Sequence, residues 1–332
     1  MSGDAPVASD DTLYAFYDLQ VLPITFDAAW FAAAADLARR QQGLTHIHFV
    51  VVPGTRGFVR EERASVEAAT DAVSRTWKLH NIVVPIFTLL PTTAGYTVLP
   101  SRSAASAWCR RSGGRVYPRY YDPALPVGYH PTELFDDARG GTTTSLSVLR
   151  APPQAVRYVE RWSAAHLRGR SLVTITLRDY DFMAARNSNS PAWAEFARRL
   201  PPKYLPVFVP DTERALDALP PELAGAQMFN EACWNIGLRM ALYERSLLNL
   251  GVNCGPLFMS VLNAQTRVLI FKILTPSVPQ TSQAFMRQLG YEIGGQLPFA
   301  TPFQRLIWET DSLEAIEREF SAMVARIERR TP

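Results

Sequence analysis

The chain has 332 residues, 47% hydrophobic and 20% charged, which is enough apolar material for two cores and too little charge for extended disorder. Its 34 basic and 31 acidic residues leave a net charge of +3, so nothing points to nucleic acid or an anionic membrane as partner. Cys109, Cys233 and Cys254 are widely spaced with no Cys-x-x-Cys pair, which excludes a disulfide framework or thiolate metal site and fits a reducing cytoplasm. Residues 1–11 lack the basic and apolar segments of a signal peptide and read as a short lead. The longest apolar run, 82–90, is far shorter than the ~18 residues of a membrane span, so no transmembrane segment is expected.

In chain order, the pattern predicts a strand at 13–19, a helix at 26–41 with Asp27 as cap, and a strand at 46–52 closed by Pro53-Gly54. That is the length of one βαβ unit and implies parallel pairing. A polar loop at 54–60, a helix at 61–79 and a strand at 82–90 repeat it. A helix at 104–111, a strand at 115–120, a helix at 132–138 and a Gly140-Gly141 loop follow. Pro152-Pro153 restarts a helix that runs to 166. The second half opens with a clear strand at 171–177, then a helix at 191–200, a strand at 204–209 and a helical stretch at 229–243. A strand at 247–252, a helix at 257–262, a strand at 267–272 and an amphipathic helix at 312–329, capped by Asp311 with Glu314, complete the chain.

The fold class read from this rhythm is α/β, with two Rossmann-like parallel-sheet domains facing a cleft at their strand C-terminal ends. The expected domains are 1–150, 151–310 and a closing helix, 311–332, able to return to the first domain. The chain has no Gly-x-x-x-x-Gly-Lys-Ser/Thr loop, no Gly-x-Gly-x-x-Gly after the first strand, no Gly-x-Ser-x-Gly and no His-Glu-x-x-His. P-loop ATPases, ordinary dinucleotide oxidoreductases, serine hydrolases and zincins lose weight accordingly.

Chemistry is expected where strands end. Asn253-Cys254-Gly255-Pro256 leaves an apolar strand and enters a helix, a geometry that offers backbone N–H groups to a diphosphate, or else only a tight strand-to-helix turn. Arg178 follows the strand 171–177, and Arg186 with Asn187 comes shortly after as a second anion-binding candidate. Asp211 ends the next strand and suits ribose hydroxyls, or simply caps the following turn. Asp179 and Asp181 form an Asp-x-Asp able to carry a metal. His46 and His48 share one strand face with no third ligand in view. Asp18, at the end of the first strand, is the candidate general base.

The stretches 173–178, 207–211 and 241–256 together resemble the C-terminal domain of GT-B glycosyltransferases of the heptosyltransferase-like kind. The resemblance implies a cytoplasmic bacterial glycosyltransferase that moves a sugar from a nucleotide-diphosphate donor to an acceptor hydroxyl without a metal or cofactor. The acceptor would be a glycan, a lipid-linked or a protein group. Carried over by position, Gly255 and Pro256 would face the donor phosphates with Arg178 neutralising them, Glu244 and Arg245 would lie just ahead of the phosphate strand, and Asp211 near the nucleoside. Where the family has Asp/Asn-Ser-Gly, this chain reads Asn253-Cys254-Gly255, and no donor-ribose glutamate follows at the usual place. Three alternatives stay open: a metal-dependent GT-A transferase using Asp179 and Asp181, a sugar-nucleotide epimerase, and an inactive glycan- or partner-binding protein.

Overall fold

The computed structural model describes residues 11–55, 71–128, 132–139 and 145–329. The chain divides into one unit of residues 1–130 and another of 131–332. Residues 148 and 149 pack in the second unit. There Leu149 N donates to Leu262 O at 2.9 Å, and Val148 bridges to Asn263.

The first unit holds a parallel sheet of β1 (Thr12–Asp18), β2 (His46–Val52), β3 (Thr93–Val98) and β4 (Val116–Tyr117), ordered β3-β2-β1-β4. Every residue of β1 is buried, as expected for a parallel strand covered on both faces. On one face Tyr17 meets Phe31 of the helix Ala28–Gln41 edge-on at 5.0 Å. On the other, Phe16 stacks on Tyr121 at 4.4 Å, within a cluster that includes Ala105 of the helix Arg102–Arg111.

The run 82–90, expected as a strand, is helical. The helix Ala72–Lys78 continues through a π turn, Leu79–Val83, into Val84–Phe87. A uniformly apolar run carries no period that separates a buried strand from a buried helix, and Pro85 sits in the first turn of Val84–Phe87, where it is tolerated. Phe87 stacks face to face on Phe49 of β2 at 4.2 Å. The pairing strand is β3 instead, whose residues alternate between half-buried and exposed along the sheet edge. The first part of the expected helix, 61–70, and the Gly140-Gly141 loop lie outside the described residues.

The second unit holds β5 (Ser171–Thr176), β6 (Tyr204–Val209), β7 (Leu248–Val252), β8 (Val268–Phe271) and β9 (Gln304–Leu306), all parallel, ordered β6-β5-β7-β8-β9. Side chains alternate between two cores. Leu172, Val207 and Val209 join the helices Pro153–His166 and Ile236–Arg245 on one face. Val173, Ile175, Phe208 and Phe271 meet the helices Ser190–Arg199 and Leu313–Glu328 on the other. The closing helix therefore packs in the second unit through Ile316, Phe320 and Met323. Its cap is Ser312, which accepts from Ala315 N at 3.2 Å. Asp311 turns inward and accepts from Asn189 N at 2.7 Å and Trp193 Nε1 at 2.8 Å.

Gly251 in β7 lies between β5 and the helix Gly255–Val261 with no room for a side chain. A Cβ there would stand 2.3 Å from Thr176 O and 2.8 Å from Leu257 Cδ1. Because one of those neighbours is ladder backbone, Gly251→Ala is expected to cost about 3 kcal/mol of unfolding free energy through overpacking, read by urea denaturation.

Candidate functional site

In the order β6-β5-β7-β8-β9, the chain leaves β5 toward one side and takes up β7 on the other, so the strand order reverses between β5 and β7. Open parallel sheets take ligands outside the strand C-terminal ends at such a point. Arg178 follows β5, Asp211 follows β6, Asn253 and Gly255 follow β7, and Lys272 follows β8. The structure links most of these residues directly.

Arg178 turns back into its own loop. Its guanidinium donates to Phe182 O at 2.9 Å, to Met183 O at 3.3 Å and to Asn187 Oδ1. Arg178 N donates to Ser188 Oγ at 2.9 Å, and Ser188 N returns a bond to Arg178 O. The residue staples the loop 179–188 to the end of β5. Burial pulls its pKa below the ordinary arginine range, opposed by the nearby Asp211 carboxylate. Its hydrogen-bond acceptors are all neutral, and the Asp211 and Asp179 carboxylates act on it only through space.

Asn187 is fully engaged: Oδ1 also accepts from Tyr180 N, and Nδ2 donates to Tyr180 O at 3.1 Å. Arg186 Nη2 crosses to Asn253 O at 3.3 Å, tying the loop to the exit of β7. Asn253 donates in turn from N to Phe271 O at 2.8 Å and from Nδ2 to Ile273 O at 2.9 Å. Asp211 accepts from Asp179 N and Glu213 N, so it caps the 3₁₀ turn Thr212–Arg214 and joins the exits of β5 and β6. Burial raises its carboxyl pKa, and those N–H donors oppose the rise.

Gly255 and Pro256 open the helix Gly255–Val261, with Cys254 as N-cap residue. Burial pushes the Cys254 thiol up to about 11, and those of Cys109 and Cys233 likewise, so none is a thiolate nucleophile near neutral pH.

Other expected site residues lie elsewhere. Glu244 and Arg245 precede β7 and so sit at the opposite end of that strand from Gly255. Glu244 Oε1 accepts from Ala151 N at 2.8 Å and Asn263 Nδ2 at 2.6 Å, a structural tie. Arg245 is exposed beside Arg168 and Arg170.

Asp18 ends β1 in the first unit, 1% exposed, and all its lone-pair directions are occupied. Arg102 holds it bidentately at 2.7 and 3.0 Å, Tyr121 OH donates at 2.5 Å, and Gln20 N at 2.9 Å. This arrangement leaves no open carboxylate face for an acceptor hydroxyl. Burial and the Asp18 carboxylate together push the Tyr121 phenol far above its ordinary pKa.

Asp181 is exposed and pairs with Arg214, which also reaches Asp179 at 3.8 Å. His48 bonds Thr97 Oγ1 at 2.9 Å and stacks on Trp108. Among the described residues no group of three His, Cys, Asp or Glu side chains could hold a metal ion.

Two cations escaped the sequence reading. Lys272 Nζ donates to Asn187 O at 2.8 Å, and its only sequence signal is that it is one of three lysines and ends a strand. Arg239 is 1% exposed, donating from Nε to Ala232 O at 2.7 Å and from Nη1 to Tyr243 OH at 3.1 Å. Tyr243 OH bonds Thr176 Oγ1 near the exit of β5. Nothing in the pattern of the helix around Arg239 marks it as a buried charge.

No family model and no curated protein matches the sequence. Among solved structures, the chain is similar to E. coli ADP-heptose LPS heptosyltransferase II, at a TM-score of 0.53 and 10% identity, over 96% of this chain and 99% of that one. It is also similar to a glycosyl transferase family 9 protein from Veillonella parvula, at a TM-score of 0.43 and 11% identity, over 98% and 91% of the two chains. The first likeness establishes the fold as GT-B-like, two Rossmann-like parallel-sheet units. Among the described residues no helix is long and apolar enough to cross a membrane.

The Asp18 cluster yields a direct test. Asp18→Ala leaves the Arg102 guanidinium without its carboxylate, and unfolding free energy should fall by about 3 kcal/mol in urea titrations.

Proposed function

We propose that the chain is a glycosyltransferase that takes a sugar from a nucleotide-diphosphate donor held by the second unit. An acceptor hydroxyl bound by the first unit receives it. The observation that carries this reading is the strand-exit cluster at the β5/β7 switch point. There Arg178 keeps its charge among neutral acceptors, and Arg186 ties its loop to Asn253 at the end of β7. The GT-B-like fold supports the same reading, since the protein it resembles is named for an ADP-heptose donor.

In the transfer, the bond between the anomeric carbon and the distal phosphate oxygen breaks, and its electron pair stays on the phosphate. The acceptor oxygen bonds the anomeric carbon, and its proton passes to water. Negative charge therefore grows on the leaving diphosphate, where fixed cations and backbone N–H groups stabilise it most in the transition state. In this reading the cluster supplies that charge from protein groups, which favours transfer without a metal. Asp18 is not assigned as base, because four donors already hold it.

A thermal-shift panel of UDP, GDP, CDP and ADP tests the reading. At a hundredfold excess over Kd, one nucleotide should stabilise the protein by about 2.7 kcal/mol, seen as a rise in melting temperature. That rise should persist in EDTA and shrink in Arg186→Ala. Arg178→Ala should lower both nucleotide binding and the melting temperature of the free protein, because it releases the loop 179–188. No shift with any of the four would sink the proposal.

A further inference from the structure

We infer that Lys272 is the residue whose side chain contacts the donor diphosphate, a role that rests on the transferase reading above. Arg178, the obvious choice by sequence, has its guanidinium committed to its own loop at Phe182, Met183 and Asn187. Lys272 is differently placed. Its ammonium makes one bond, to the neutral Asn187 carbonyl, and among the described residues it has no carboxylate partner. An ammonium has three N–H donors, so two remain for an incoming anion. The contrast with Lys203 is direct, since that lysine pairs with Glu328 on the surface at 3.4 Å.

The backbone singles out the same residue. Lys272 has φ +54, a left-handed conformation that side chains other than Gly, Asn and Asp seldom adopt. Three bonds enforce it. Lys272 N donates to Glu309 O at 2.8 Å, and Asn253 grips both neighbours, reaching Phe271 O through N and Ile273 O through Nδ2. Met183, at φ +60, is a second left-handed residue in the adjoining loop. Strain of this kind persists where surrounding bonds over-determine it and concentrates at functional sites. Here it aims an ammonium from the exit of β8 across to the loop that follows β5. Asn253 is thereby a positioning residue, setting the turn that carries Lys272 at the step where β7 ends.

The test separates charge from scaffold. Wild type, Lys272→Gly and Lys272→Gln are titrated calorimetrically with UDP, GDP, CDP and ADP and with the matching nucleosides. Glycine adopts φ +54 freely, so Lys272→Gly should melt no lower than wild type. Glutamine retains a donor for the Asn187 carbonyl while removing the charge. Both variants should bind the preferred diphosphate at least about tenfold more weakly, the loss of one charge-assisted bond, and the nucleoside within about twofold of wild type. Diphosphate binding within twofold of wild type in both variants would overturn the assignment, as would an equal loss for nucleoside and diphosphate. If wild type binds none of the four diphosphates, the transferase reading falls first and this assignment with it.

Discussion

The second unit depends on a contact with no room for a side chain, Gly251 of β7 against the Thr176 carbonyl of β5. That approach lets β7 lie tight against β5, seats Leu257 at the start of the following helix, and delivers Asn253 to the exits of two strands. Without it, the loop after β5 and the turn after β8 would have no common neighbour. The hydrogen bonds from Arg186 to Asn253, and from Asn253 to both sides of Lys272, all presuppose that spacing.

The two units use buried charge in opposite ways. In the first, Asp18 and Arg102 neutralise each other in a closed cluster with Tyr121, which fixes the loop after β4 to the end of β1. In the second, Arg178, Arg239 and Lys272 meet only neutral acceptors among the described residues. A paired charge organises structure and exerts little field beyond its partner. A charge held by carbonyls keeps its field, at a desolvation cost that a bound anion offsets.

Much of this was legible in the sequence, for identifiable reasons. The strands 46–52, 171–177 and 204–209 are β-branched or aromatic runs bounded by turn residues, and they became β2, β5 and β6 almost to the residue. Residues placed by the rule that ligands gather at strand exits, Arg178, Arg186, Asn187, Asp211 and Asn253, do come together. The run 82–90 failed because a buried helix and a buried strand look alike without a period. The edge strand β3 was missed because it is half-exposed, and β9 because it is only three residues long. Glu244 and Arg245 were placed by proximity in sequence to the phosphate strand, but they lie at its opposite end. Lys272 left only its rarity and its place at a strand end as signals, and Arg239 none, because backbone strain and burial are properties of the packed chain.

The inward turn of Asp311 has a mechanical meaning. Its carboxylate accepts from Asn189 N and Trp193 Nε1, and Asn189 directly follows Ser188, which is bonded twice to Arg178. A train of hydrogen bonds thus runs from Asp311, just ahead of the closing helix, to the loop at the end of β5. Displacement of that helix would be transmitted as tension on the strand-exit loop, and the indole of Trp193, seated in the joint, would register it.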